Sequence, residues 1–536
     1  MSKLPDPFRE GLARGWKVTH GEQSLPEQIT CDVAIIGSGA GAGITAELLA
    51  KAGLDVVLIE EGPLKTSSDF NQKESEAYAS LYQEGITRKT LDKGISLLQG
   101  RCVGGTTVVN WTSSFRTPPT TLKYWQEHFG LADYQVDTLA PWFKQAEQRL
   151  NMAPWEGAPN ANNELLRTGA TKLGIEAHVI PRNVKGCFNL GSCGLGCPVN
   201  AKQSMLVTTI PAALDAGARL FHHTRVEKID ISNDQVTGLR CLGVTPNGTA
   251  VPGKAMRVVA KHYVLSGGAI NSPAVLLRSN APDPHNLVGK RTFLHPVVFS
   301  SAVYAQKIEG WAGAPQSIYS DHFLYTQPID GPVGYKLEAT PIHPGLMAYM
   351  LGGVGSTFAT RLAHYPHTQM LLALIRDGFH EQSVGGQVIL KPDGFPALHY
   401  PVSEYLQDGF RRALTSMAEI QFAAGAQQVL AAHEQAHYVK TFAEAKAAIA
   451  QFDMRNYMTA VGSAHIMGGC RIGQTEQQGV VQPDGTHWQV KNLSVHDGSV
   501  FPTSIGANPQ LSIYGIVNRM ATLLAKRLSG KDVALA

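Results

Sequence analysis

Continuous apolar runs that break on glycine punctuate this chain, and each break marks a change of element. Asp32-Val-Ala-Ile-Ile is a strand-length run that empties into Gly37-Ser-Gly-Ala-Gly-Ala42-Gly43, a turn that opens a helix. A second apolar run, Asp55-Val-Val-Leu-Ile, ends in Glu60, and a third, around Val264-Leu, ends on Gly267-Gly268. After that third run the pattern predicts a helix with Ser272 as its N-cap and Pro273 at its first position. Gly385 to Leu398 reads as two short strands around a Pro-Asp-Gly turn. The longest uncharged stretch, Pro344 to Thr360, is 17 residues broken by Gly345, Gly352, Gly353 and Gly355. It is too short and too glycine-rich for a spanning helix; a buried sheet segment is the expectation, and a membrane-dipping surface the other reading.

Strand, glycine turn, helix, strand and acid in this order are how a chain holds a dinucleotide. Gly37 permits the tight turn, Gly39 lets the backbone approach a pyrophosphate, and Ala42 is the small residue where helix packs on strand. The phosphates then sit at a helix N-terminus. Glu60, 23 residues beyond Gly37, is placed for the ribose hydroxyls and argues against a 2′-phosphate. NAD and FAD use the same turn. A second glycine-rich turn, Gly100 to Asn110, carries Gly104 and Gly105 between Arg101 and Thr106, and can offer N–H groups to a phosphate or a flavin edge.

At 536 residues the chain is long enough for two domains around a large cofactor. A net charge of +3 with 17% charged residues leaves no basic block for nucleic acid. Residues 1–16 lack an apolar core and a cleavage site, and seven cysteines, an odd number, suit reduced thiols, so a cytoplasmic location is expected.

Four ordered stretches resemble the glucose-methanol-choline (GMC) oxidoreductases: GRCVGGTTVVN at 100–110, GGAINSPAVLLRS at 267–279, AHIMGGCRIG at 464–473 and DGSVFPTSIGANPQLSIYG at 497–515. Asn280 stands where the second pattern usually has glycine. GSCGLGCPVNAKQ at 191–203 is similar to the branch that oxidises long-chain alcohols. The resemblance implies an α/β fold. A discontinuous Rossmann-type FAD-binding domain would occupy residues 1–297 and 456–536, and a mainly antiparallel β-sheet substrate domain residues 298–455. It implies FAD contacts at Gly37, Gly39, Ala42, Glu60, Arg101, Gly104, Gly105, Thr106, Asn110, Val226, Asp497, Gly498, Asn508 and Pro509. Val109 occupies the place where some relatives have a flavin-linking histidine, so FAD is expected to be dissociable.

The catalytic pair implied is His465 and Asn508. Oxidising an alcohol removes the hydroxyl proton and an α-hydride, the latter to flavin N5. A neutral imidazole suits the proton and an amide N–H the oxygen. If Pro509 opens a helix, the positive helix end faces the reduced flavin. The expected substrate is a primary alcohol, long-chain or bulky and apolar. O₂, a quinone or a protein is the electron acceptor, and peripheral membrane contact is a further expectation.

Two constellations carry other chemistry. Cys187, Cys193 and Cys197 could hold an iron–sulfur cluster, which keeps open a sugar or polyol dehydrogenase; a thiol-lined structural loop is the other reading. His433-Glu434-Gln-Ala-His437 matches HExxH, the zinc-protease spacing, but a further ligand is not evident nearby.

Overall fold

The computed structural model describes residues 5–535, so the first four residues of the amino-terminal segment lie outside it. The opening pattern folds as a strand at Gln28–Ile36 (β1), a helix at Ala40–Lys51 (α1) and a strand at Val56–Ile59 (β2). β1 and β2 pair in parallel with Val33 opposite Val56 and Ile36 opposite Ile59. The inner ends of both strands are buried on both faces, which is why they read as unbroken apolar runs rather than as alternation.

These strands lie inside an eight-stranded sheet. Its order is Lys17–His20, Arg219–His222, β2, β1, Ala250–Leu265 (β3), Gln235–Val244 and Thr224–Ser232, with Leu493–Val495 also on β3. The first half of β3 pairs antiparallel with Gln235–Val244 and its second half parallel with β1, so one long strand joins a parallel sheet to a hairpin. Because Leu493–Val495 runs parallel beside β3, the domain is completed by chain from far downstream. Ligands bind such sheets beyond the carboxyl ends of the parallel strands, where Gly37, Glu60 and Ser266 stand.

The second large sheet is built on Val297–Val303 (β4), Tyr335–Ala339 (β5) and Thr368–Ile375 (β6), antiparallel in the order β4-β6-β5. One face packs under the helices Ala161–Lys172 and Glu404–Ala423, burying Val298, Leu337, Leu371 and Ala373 with Leu414 and Met417. The opposite face carries Val297 and Phe299 beside Leu374 and Leu372, their direct partners across the ladder. Ile95–Leu97, His178–Val179 and Val461–Ser463 also join this sheet, so it draws on chain from outside 298–455.

Two local expectations are corrected. Pro344–Thr360 is not sheet: it forms helices at Pro344–Leu351 and Gly355–Ala363, with Pro344 at a helix start and Gly352 and Gly353 at positive φ breaking the path between them. The helix after β3 starts at Gly268, not at Pro273, which lies inside it; the Ser272 hydroxyl is turned to Asp497 instead of capping. The hairpin forms between Gly386–Leu390 and Pro396–His399 as its pattern predicts. The chain closes with a helix at Gln510–Ser529 (α2) whose cap is Pro509. Among the described residues no helix is long and apolar enough to cross a membrane.

Candidate active site

A cavity of about 1010 Å³ runs from the glycine-rich turns of the first sheet to the apolar face of the second. It is lined by Gly37, Gly39, Glu60, Arg101, Gly105, Thr106, Asn110, Val226, Asp497, Gly498, Asn508, Pro509 and His465. Ala42 and Gly104 are set behind it. Ala42 is buried in the core, and Gly104, at φ +94°, bends the second turn and donates its N–H to Ser38 Oγ at 3.0 Å.

Ser38 was not singled out by the sequence and is the joint of the nucleotide side. Its hydroxyl donates to Glu60 Oε2 at 2.6 Å, while the Gly62 N–H donates to Oε1 at 2.8 Å. Burial nevertheless pushes the Glu60 carboxyl up to about 7, its hydrogen bonds opposing only part of the shift. The native chain therefore binds a proton there that the unfolded chain has released between about pH 4.5 and 7, and this contribution is lost as pH rises through that window. In the cofactor-free protein, wild type should lose about 3 kcal/mol more than Glu60→Gln from pH 4.5 to 7.5. Urea unfolding at the two pH values reads this; parallel profiles would show an ionised Glu60.

The donor set fits FAD. An added Cβ at Gly39 would meet only Gly105 Cα, at 4.0 Å, so the space above that residue belongs to the cavity. Asn110 gives Nδ2 to Gln510 and keeps a buried Oδ1 with no partner, a free acceptor beside the second turn. Asp497 accepts from Gly268 N–H, Ser272 Oγ and Ser499 N–H, and burial still raises its carboxyl above the usual range. The start of the twenty-residue α2 opens into the same space, with first-turn N–H groups suited to anionic oxygen.

His465 and Asn508 both line this cavity, and Lys336 stands beside each of them. His465 Nδ1 lies 3.1 Å from His295 Nδ1, and His295 Nε2 accepts the Gly506 N–H at 3.0 Å. Burial, and then the positive charge of Lys336, hold the His465 imidazole neutral, down to about 3. Asn508 Oδ1 accepts from Lys336 Nζ at 3.1 Å and its Nδ2 donates to Glu338 Oε2 at 3.3 Å. Lys336 and Glu338 form an ion pair at 3.1 Å that is almost fully buried, with the ammonium over the Phe115 ring. Burial lowers that ammonium to about 8, against the opposing pull of Glu338. The two residues stand opposite Leu374 and Leu372 across the ladder, on the cavity face of β5. Sequence reading missed them; their one signal is the alternation Tyr-Lys-Leu-Glu-Ala.

The other constellations come out differently. Near Cys187, Cys193 and Cys197 the cavity is about 20 Å³, room for about one water and not for a cluster. Lys202 donates to the carbonyls of Val108, Asn110 and Cys193, so this loop buttresses the second glycine turn from behind. HExxH is not on a helix: His433 bridges to Thr459, stacks on Phe452 at 4.2 Å, and has both ring nitrogens within hydrogen-bond reach of backbone groups, while His437 is exposed. His20, His222 and His223 cluster elsewhere, but the His20 and His223 rings are stacked, 12° from parallel, so their in-plane lone pairs do not converge.

Comparison with known proteins follows the same line. Family models for GMC oxidoreductases match residues 78–297 with the amino-terminal part and 383–516 with the carboxy-terminal part. A long-chain-alcohol oxidase of Arabidopsis thaliana is 28% identical over 96% of this chain and 70% of its own length. An uncharacterised GMC-type oxidoreductase of Mycobacterium tuberculosis is 31% identical over 94% of this chain and 77% of its own. In fold, the chain is similar to pyridoxine 4-oxidase from Mesorbium loti, with a TM-score of 0.67 at 18% identity over 92% of this chain and 98% of the other.

Proposed function

The chain belongs to the GMC oxidoreductase family and is an FAD-dependent alcohol oxidoreductase, and from that premise we propose that it oxidises a primary alcohol with a long or bulky apolar chain to the aldehyde. The observation that carries the substrate reading is the wall next to His465 and Asn508. Val297, Phe299, Leu372 and Leu374 form one apolar patch there, and Leu346, Tyr349 and Met350 continue it. An alkyl chain laid along these residues leaves water, while its hydroxyl end reaches the polar groups of His465 and Asn508.

Bound FAD, held without a covalent link at Val109, supplies the acceptor for the hydride that leaves the carbinol carbon. Gly37, Gly39, Glu60, Arg101, Gly105, Thr106, Asn110, Val226, Asp497, Gly498 and Pro509 are the residues proposed to hold it. Asn508 points one Nδ2–H at the hydroxyl oxygen, because Lys336 has taken its Oδ1 and Glu338 fixes the amide plane. His465 is the second contact to that oxygen. Two contacts on one oxygen orient the α-hydrogen, and in a water-poor cavity they stabilise charge as it builds on oxygen.

The test is a panel of primary alcohols, run with O₂ alone, our proposed acceptor, and again with an artificial dye. kcat/KM should rise by about 0.8 kcal/mol, roughly fourfold, per added CH₂ until the apolar wall is covered. A preference for hexoses or polyols over alkanols would overturn the substrate class. Turnover only with the dye would overturn O₂.

A further inference from the structure

The register of the second sheet lays out the apolar wall of the cavity strand by strand. Val297 on β4 stands opposite Leu374 on β6, and Leu374 opposite Lys336 on β5. On its other side Val297 pairs with Gly462, and Gly462 with Ser96. Direct partners in a ladder share a face, so Lys336, Leu374, Val297, Gly462 and Ser96 form one row across the sheet. The row crosses four strand spacings, about 19 Å. At one end Lys336 holds Asn508, and at the other Ser96 Oγ lies 2.8 Å from the Tyr349 hydroxyl.

Gly462 is the gap in this row. It sits in the middle of the strand Val461–Ser463, where a glycine weakens the strand and gives up a side chain to pack. The backbone makes no demand for it. Its φ is not positive, and an added Cβ would meet Ser96 O at 3.7 Å and Phe299 Cζ at 3.8 Å, both ordinary van der Waals contacts. Gly468, six residues on, is the contrast: it has φ +79°, and a Cβ there would lie 2.2 Å from the Arg291 carbonyl oxygen. At Gly462 an alanine fits, and anything larger stands in the cavity that this residue lines. Tyr349 closes the row. Its helix, Pro344–Leu351, is tied at its start by Glu74, which accepts the Gly345 and Leu346 N–H groups at 2.7 and 3.2 Å, and its ring lines the cavity while half exposed to solvent.

We propose that the missing side chain of Gly462 is a slot for the distal methylenes of the substrate's alkyl chain and that Tyr349, held by Ser96, is its end stop, so that these two residues set the chain length the enzyme prefers. This rests on the alcohol-oxidising reading above. With the hydroxyl at His465 and Asn508, the chain crosses Leu374 and Val297, enters the slot beside the Phe299 ring and ends at Tyr349. Each methylene that reaches the slot exchanges water for apolar contact. A short alcohol ends before it and takes no benefit from it.

The test is the ratio of kcat/KM for 1-dodecanol to that for 1-butanol, measured on the holoenzyme. Gly462→Ala, Gly462→Val and Gly462→Leu should lower this ratio in steps, reaching about 10²-fold at leucine, the equivalent of three to four methylenes turned back into water at roughly fourfold each. A variant that is merely damaged lowers both substrates together and leaves the ratio where it was. If leucine does not fold, the alanine and valine steps carry the same reading. Tyr349→Ala should let the rise in kcat/KM continue past the length at which wild type levels off; levelling off at the wild-type length overturns the end stop. Independently of turnover, dodecanamide, which has no carbinol hydrogen to lose, should bind the oxidised holoenzyme and perturb its flavin absorption, with a Kd at least about tenfold weaker in Gly462→Leu. A ratio within about threefold of wild type across the Gly462 series, or dodecanamide binding unchanged by it, overturns the slot. If wild type oxidises no alkanol, the substrate reading fails, while dodecanamide still decides whether Gly462 makes room for an alkyl chain; a wild type that does not bind it overturns the slot as well.

Discussion

His465→Ala should reduce its flavin with a long-chain alcohol about 10²–10³-fold more slowly than wild type, with FAD retained and the fold intact. The magnitude is that of one preorganised hydrogen-bonding group removed from an oxygen on which charge develops. Fold and cofactor should survive because His465 contributes little to either. Its Nδ1 pairs with His295 Nδ1, and the cofactor-side residues are on other segments. What the truncation leaves behind is a buried His295 ring nitrogen without its partner, a loss of about 1–3 kcal/mol in stability that a 536-residue chain of this packing can carry. Single-turnover reduction under anaerobic conditions is the measurement, because steady-state rates mix in reoxidation. A wild-type rate of reduction would remove His465 from the hydroxyl.

Gly39, which caps α1, and Gly41, two residues on in its first turn, should fail in opposite ways. At Gly39 an added Cβ has no protein atom nearer than 4.0 Å and projects into the space assigned to the pyrophosphate. Gly39→Val should therefore give a folded, soluble protein that is colourless, since the side chain fills the cradle without disturbing the chain. At Gly41 the same atom would lie 1.7 Å from the His496 carbonyl oxygen, in the packed seam between α1 and the chain returning from Leu493–Val495. Neither element can retreat, so Gly41→Ala should cost several kcal/mol and yield aggregated or unfolded protein. Circular dichroism and FAD absorbance on purified variants read the contrast. A yellow, native-like Gly41→Ala or an FAD-saturated Gly39→Val would contradict it. The sequence had assigned the packing of helix on strand to Ala42; that residue is buried in the core, but the closest approach is at Gly41, one residue earlier.

The stretch Pro344–Thr360, a helix and the start of another, shows where pattern misleads. Without charges, and with glycines at irregular intervals, the stretch offers neither a period of two nor one of 3.6, and its lack of charge reads as burial. In the folded chain it covers the cavity with Leu346, Tyr349 and Met350 while Val354 is 86% exposed. Apolar character there serves a surface facing the cavity and the solvent beside it, which no local rule distinguishes from a core.

Local chemistry was enough for everything that depends on consecutive residues. β1, the Gly37 turn, α1, β2 and Glu60 are one continuous segment in which strand, turn and helix each state their own requirement, so the nucleotide fold is legible from residues 28–60 alone. His465 and Asn508 were named because their neighbours resemble a family's motifs. The tertiary structure alone decided what those two side chains face. Lys336 and Glu338 alternate with Tyr335, Leu337 and Ala339 along β5, and such a strand reads the same whether its polar side meets water or a closed cavity. Only the packing of β5 beside β6, with Leu372 and Leu374 in register, turns that polar side inward against Asn508. In the same way, His295 followed by proline carries no sign of its role. Its ring is placed against His465 and held by the N–H of Gly506, 211 residues further along the chain, because such contacts are a property of assembled geometry and not of sequence.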